Sequence, residues 1–168
     1  PIAFMAGDVT PPRPKENSRA NESVSCDVCH TISDAHFQGD YPFNFSYVST
    51  PGRTKFGAKP GLTSPHHDTK KLDIYEQAEF CGNCHNEKNP FGVWVKSTQI
   101  EWKEGPYSEQ GVACHQCHMP KALGKNAKMA QEDMVAQHLF HGAHDPGKVG
   151  GAIEIRMHPT EREVEYDG

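Results

Sequence analysis

The chain has no run of about 18 consecutive apolar residues, so no stretch of it is fit to cross a bilayer as a helix. Apolar residues are scarce altogether. They make up 35% of the 168 residues, and the mean hydropathy is -0.74. Side chains alone therefore offer only a thin core, thinned further by 15 Gly and 13 Pro. A surplus of positive charge is also missing. With 17 Lys and Arg against 22 Asp and Glu, the formal charge is -5, which argues against nucleic acid as a partner. No sharp internal shift in composition divides the chain, and its length suits one domain. Neither a starting methionine nor a secretory leader precedes Pro1, which leads us to expect that a segment upstream has been removed.

Cysteine is what the chain does have, and all six fall in one pattern. Cys26 to His30 reads CDVCH, Cys81 to His85 reads CGNCH, and Cys114 to His118 reads CHQCH. Each is Cys-x-x-Cys-His, the spacing of c-type haem attachment. Two thiols three residues apart reach the two vinyl groups on one porphyrin edge, and the next residue brings its imidazole under the iron. The spacing predicts three haem c groups, tethered by Cys26, Cys29, Cys81, Cys84, Cys114 and Cys117, with His30, His85 and His118 as metal ligands. Burying their flat apolar faces would make up for the thin core. Zinc, disulfides and thiol redox chemistry are the rival readings. Zinc knuckles are used in pairs or with spaced histidines, so three leave an odd one, and a disulfide inside a Cys-x-x-Cys pair is strained.

A haem iron takes a second axial ligand. Of eleven histidines, eight remain after the motifs: His36, His66, His67, His115, His138, His141, His144 and His158. Met5, Met119, Met129, Met134 and Met157 are the other candidates. The histidine surplus favours two imidazoles per iron, a ligation that leaves the potential low, whereas methionine would raise it. His115 lies within its own attachment loop and is poorly placed to reach the far face of that haem.

The spacers between motifs are unequal, so no regular solenoid repeat is expected. Asp8 to Asn21 and Tyr41 to Pro65 are rich in loop residues. Asp68 is placed to cap a helix carrying Leu72, Tyr75 and Glu79 toward Cys81. A second helix is expected over Val93 to Lys103 and a third over Ala127 to Phe140, stopped by Gly142. Beyond Gly151, Ile153, Ile155 and Met157, then Val164 and Tyr166, alternate with polar residues and predict two short strands. The expected fold is mainly α with long irregular loops, its core formed by the haems, with short β strands near the C-terminus. Residues 1–150 form the trihaem domain, and 151–168 a β-like tail or the start of a further region.

Several blocks go beyond the bare motif: VSCDVCHTI (Val24 to Ile32), SPHH (Ser64 to His67), FCGNCHN (Phe80 to Asn86), EWKEGPY (Glu101 to Tyr107), GVACHQCHMP (Gly111 to Pro120) and HLFHGAHD (His138 to Asp145). In this order, over about residues 24–145, the chain resembles the multihaem c-type cytochromes. That family includes the tetrahaem electron acceptor of hydroxylamine oxidoreductase, pentahaem nitrite reductases, octahaem enzymes and extracellular conducting cytochromes. The resemblance implies distal ligation by His67, His138 and His144, with His36, His66 and His141 in reserve. It also implies that the chain is one piece of a larger member, since Pro1 to Phe4 is similar to the residues that follow an upstream site. Electron transfer between redox proteins by three low-spin haems is the function to expect. The alternative is part of an oxidoreductase acting on small nitrogen or sulfur oxyanions, although no motif here ends in the lysine of the related nitrite reductases. Haem c attachment takes place outside the cytoplasm, which points to the periplasm or the cell surface. Other cytochromes are the expected partners, in an oligomer or a larger multihaem assembly.

Overall fold

A computed structural model describes residues 24–36, 39–127 and 129–157. Within these residues the architecture differs from the expected one: it is not mainly α and not a helical fold around a haem core. Six short α-helices are present, the longest spanning Ala78–His85, and eight strands form four separate two-stranded sheets. None of these helices is long and apolar enough to cross a membrane.

One unit recurs three times. Helix α1 (Cys26–His30) leads into β1 (Ile32–Ala35), which pairs antiparallel with β2 (Tyr47–Ser49). Helix α2 (Ala78–His85) leads into β5 (Asn86–Lys88), antiparallel to β6 (Trp94–Ser97). Helix α5 (Cys114–His118) leads into β7 (Lys121–Lys125), antiparallel to β8 (Glu132–Ala136). Each Cys-x-x-Cys-His segment thus ends a helix, and the chain then turns into a β-ribbon. Between the first two units β3 (Thr54–Gly57) pairs in parallel with β4 (Asp68–Lys71), followed by a 3-10 turn over Asp73–Glu76. Helices α3 (Thr98–Glu104) and α4 (Pro106–Glu109) connect the second unit to the third, and α6 (Pro146–Ala152) follows it.

The helix expected from Asp68 is replaced by β4 and one 3-10 turn, because Gln77 adopts extended backbone (φ -100°, ψ 147°) and Tyr75 is drawn into long-range hydrogen bonds. Over Val93 to Lys103 the β-branched start joins a ribbon as β6, and only Thr98–Glu104 is helical. The helix expected over Ala127 to Phe140 is instead β8, where Leu123 faces Met134 and Ala122 faces Val135 across the ladder. Ile153 to Met157 has no regular structure and its apolar side chains are exposed, so the first of the two C-terminal strands is not formed. The second lies outside the described residues. Within Tyr41 to Pro65, Asn44 and Phe45 have positive φ, and the Asn44 side chain is paired with both the N–H and the carbonyl of Lys88, each at 2.8 Å. That loop is thereby fixed to the second ribbon.

Buried apolar side chains are few among the described residues: Ile32, Ala35, Phe56, Ala78 and Ile100. The best-buried large side chains around the second motif are polar. The Asn86 amide donates to the Pro42 carbonyl at 2.8 Å and to Gln99 Oε1 at 3.0 Å, while its own oxygen accepts from the Gln99 N–H at 3.0 Å. Asn83 donates to the Glu79 carbonyl at 3.2 Å. This network locks α2 to α3. Their close approach requires Gly82, because a Cβ there would lie 2.7 Å from Pro42 Cγ and 3.0 Å from Gln99 Cγ. Gly82→Ala is therefore expected to lower stability in thermal or denaturant unfolding. Overpacking against a buried proline ring costs about 1–3 kcal/mol, which outweighs the gain in helix propensity of about 1 kcal/mol. An unchanged or higher midpoint would show that α2 and α3 have room to spread.

Candidate functional site

A helical turn places residues i and i+3 on one side with i+4 beside them, so each motif presents two thiols and an imidazole together. In α1 the turn is held by Thr31, whose hydroxyl donates to the Asp27 carbonyl at 2.7 Å, and by the Lys55–Asp27 ion pair at 3.0 Å. His30 Nδ1 donates to the carbonyl of Phe56, a buried residue of β3, at 2.6 Å. The Tyr75 hydroxyl reaches the carbonyls of Cys29 at 2.6 Å and Ile32 at 2.9 Å, bracketing the end of α1. Its ring stacks on His30 with centroids 5.9 Å apart, and burial raises the phenol's pKa, with Cys29 adding to the effect.

The third motif is built the same way. Gln116 accepts from the Ala113 N–H at 2.5 Å to close the first turn of α5, and Trp102 donates its indole N–H to the Val112 carbonyl at 2.7 Å just ahead of it. His118 Nδ1 donates to the carbonyl of His141. His141 is itself held by Asp145, Nδ1 to Oδ2 at 2.5 Å. In the second motif, burial lowers the pKa of His85, and Lys96 and His118 lower it further.

The three motifs converge. Cys114 raises the pKa of the Cys81 thiol, burial adding to the effect, and Cys81 in turn lowers the Cys114 thiol to about 7. Burial raises Cys29 and Cys84, and Cys84 is raised further by Cys29. All six cysteines are free thiols, so none of the Cys-x-x-Cys pairs is a disulfide.

Of the expected distal ligands, His138 is brought to a motif histidine. Its ring centroid lies 6.0 Å from that of His30, with the planes at 40°, and its Nδ1 donates to the Ala136 carbonyl at 3.1 Å. His67 donates to the neighbouring Asp68 carbonyl at 3.1 Å, and His144 is exposed ahead of α6. Among the reserves, His141 contributes its carbonyl to His118, while His36 and His66 are exposed. His158 lies outside the described residues. Sequence reasoning missed Tyr75, the Phe56 carbonyl and the Asn86–Gln99 pair. Only Asn86 carried a signal, as the residue directly after a motif histidine. Among the described residues no group of three or more His, Cys, Asp or Glu is gathered as a metal cage, and a haem iron, which takes one or two imidazoles from the chain, requires none. No family model matches the chain, and no solved structure matches it, so the reading of the site rests on its own geometry.

Proposed function

We propose that the chain is an electron carrier of the multihaem c type, with three haems bound through Cys26 and Cys29, Cys81 and Cys84, and Cys114 and Cys117. The observation that carries this reading is the orientation of His30 and His118. Each commits its Nδ1–H to a backbone carbonyl, leaving the Nε2 lone pair as a metal ligand whose direction and basicity are set by that hydrogen bond. These residues fit haem. Each bound haem supplies a one-electron iron couple whose potential follows from its ligands and burial. The cysteines tether, His30, His85 and His118 ligate one face, and His67, His138 and His144 are the proposed set for the other. The helices of the second and third motifs touch, and Cys29 is near enough to Cys84 to raise its pKa, which supports short paths from one site to the next. The resemblance of the sequence blocks to multihaem cytochromes supports the same reading. Partners are other redox proteins, met in the periplasm or at the cell surface.

The test is intact mass under denaturing conditions after expression with haem-attachment machinery. The expected mass exceeds the 18.7 kDa polypeptide by three haems, and the reduced protein binds carbon monoxide poorly because its irons are six-coordinate. A bare polypeptide mass overturns the proposal. A native high-spin haem that binds carbon monoxide and turns over a nitrogen oxide replaces the carrier with an oxidoreductase.

A further inference from the structure

The geometry points to His138 as the second axial ligand of the iron held by His30, a pairing that rests on the haem reading above. Two imidazoles bound through Nε2 to opposite sides of one metal are separated by two metal–nitrogen bonds of about 2 Å plus two half-rings, roughly 6 Å between centroids. The observed separation is 6.0 Å. The 40° between the ring planes is compatible with such a pair, because rotation about the metal–nitrogen axis leaves the ligation intact. Both rings are also turned the right way round. His30 gives its Nδ1–H to Phe56 and His138 gives its own to Ala136, so the nitrogen left to each is Nε2.

The backbone explains how a residue so distant in sequence arrives there. Strand β8 ends at Ala136, the Gln137 N–H is fixed to the Pro120 carbonyl at 3.0 Å, and Phe140 takes a left-handed conformation (φ 48°) that turns the chain back. The Phe140 ring meets His138 edge-on at 6.0 Å. Tyr75, the other ring against His30, already shares its one hydroxyl proton between two carbonyls and is no competitor for the iron. Neither His67 nor His144 stands in such a relation to His30 among the described residues.

The experiment combines ligand and attachment-site variants of the holoprotein. His138→Ala is expected to convert one haem of three to high spin in electron paramagnetic resonance and to create one carbon monoxide site per molecule. His138→Met is expected to keep that haem low-spin and to add the sulfur-to-iron absorption band of methionine ligation, which gives a readout even where the alanine variant fails to accumulate. In a Cys26→Ser/Cys29→Ser background, which retains two haems, both substitutions are expected to leave the spectra of the remaining haems unchanged. The pairing is overturned if His138→Ala leaves all three irons low-spin, if His138→Met adds no such band, or if either substitution still alters a haem in that background. A wild-type chain that carries no haem overturns the electron-carrier reading itself, an outcome separate from a haem-bearing chain with a different partner for His30.

Discussion

Replacing Cys81 and Cys84 together by serine is expected to leave a protein with two haems instead of three and to cost about 3 kcal/mol or more of stability. The second motif lies in a well-buried part of the described residues. Ala78, Gly82 and Asn83 of α2, and Asn86 directly after it, are buried, and α2 packs on α3 through Gln99 and Ile100. On the proposed reading a haem tethered there would be part of the packing, so losing it would remove apolar contact and its bond to His85 together, one of the few routes by which so small a change has so large an effect. The same pair of substitutions at Cys26 and Cys29 acts on a helix with no buried residue of its own and is expected to cost less. Intact mass counts the haems, and denaturant unfolding of both variants against the wild type gives the difference. Equal losses at the two sites would show that the stability does not centre on the second motif.

Asn86→Ala is expected to destabilise the protein by about 3–5 kcal/mol without changing the haem count. The side chain is 1% exposed and makes three hydrogen bonds, to the Pro42 carbonyl, to Gln99 Oε1 and from the Gln99 N–H. Alanine leaves all three partners buried and unpaired, at about 1–3 kcal/mol for each unsatisfied group, with partial relief from relaxation. Among the described residues Gln99 Nε2 and Asn83 Oδ1 have no hydrogen-bond partner, so the substitution adds to polar groups that are already unpaired there. Because His85 is the preceding residue, the band shape of its haem reports any displacement of the ligand. A midpoint within experimental error of the wild type would mean that water replaces the lost amide.

The three Cys-x-x-Cys-His motifs could be read from the sequence because each is confined to five consecutive residues. What those residues fold into was less accessible. Leu72, Tyr75 and Glu79 have helical spacing, yet Tyr75 is committed to carbonyls of Cys29 and Ile32, more than forty positions away, and tertiary contact overrides local preference. Met134, Val135 and Leu139 fit a helix as readily as a strand, and the ladder with Lys121–Lys125 decides in favour of the strand. Ile153 and Ile155 alternate with charged residues, but no partner strand is paired with them among the described residues. Buried Asn83, Asn86 and Gln99 are polar types that ordinarily lie at the surface, so composition gives no warning that they form the interior. His138 was among the expected ligands, whereas its proximity to His30 depends on the reversal at Phe140.

That proximity also orders the way the molecule is assembled. Each helix and its antiparallel ribbon are made of neighbours in sequence, and contacts of that kind close fast and at small entropic cost. The units at Cys26, Cys81 and Cys114 can therefore take shape one after another as the chain is delivered from its N-terminal end. Of these three motif histidines His30 emerges before the others, but the ring nearest it in the later chain belongs to a segment that follows the third unit. If His30 and His138 share an iron as proposed, the first of these three sites is thus the last to be closed, and until the final ribbon has formed its face toward His138 would stay open to solvent and to an attachment machinery.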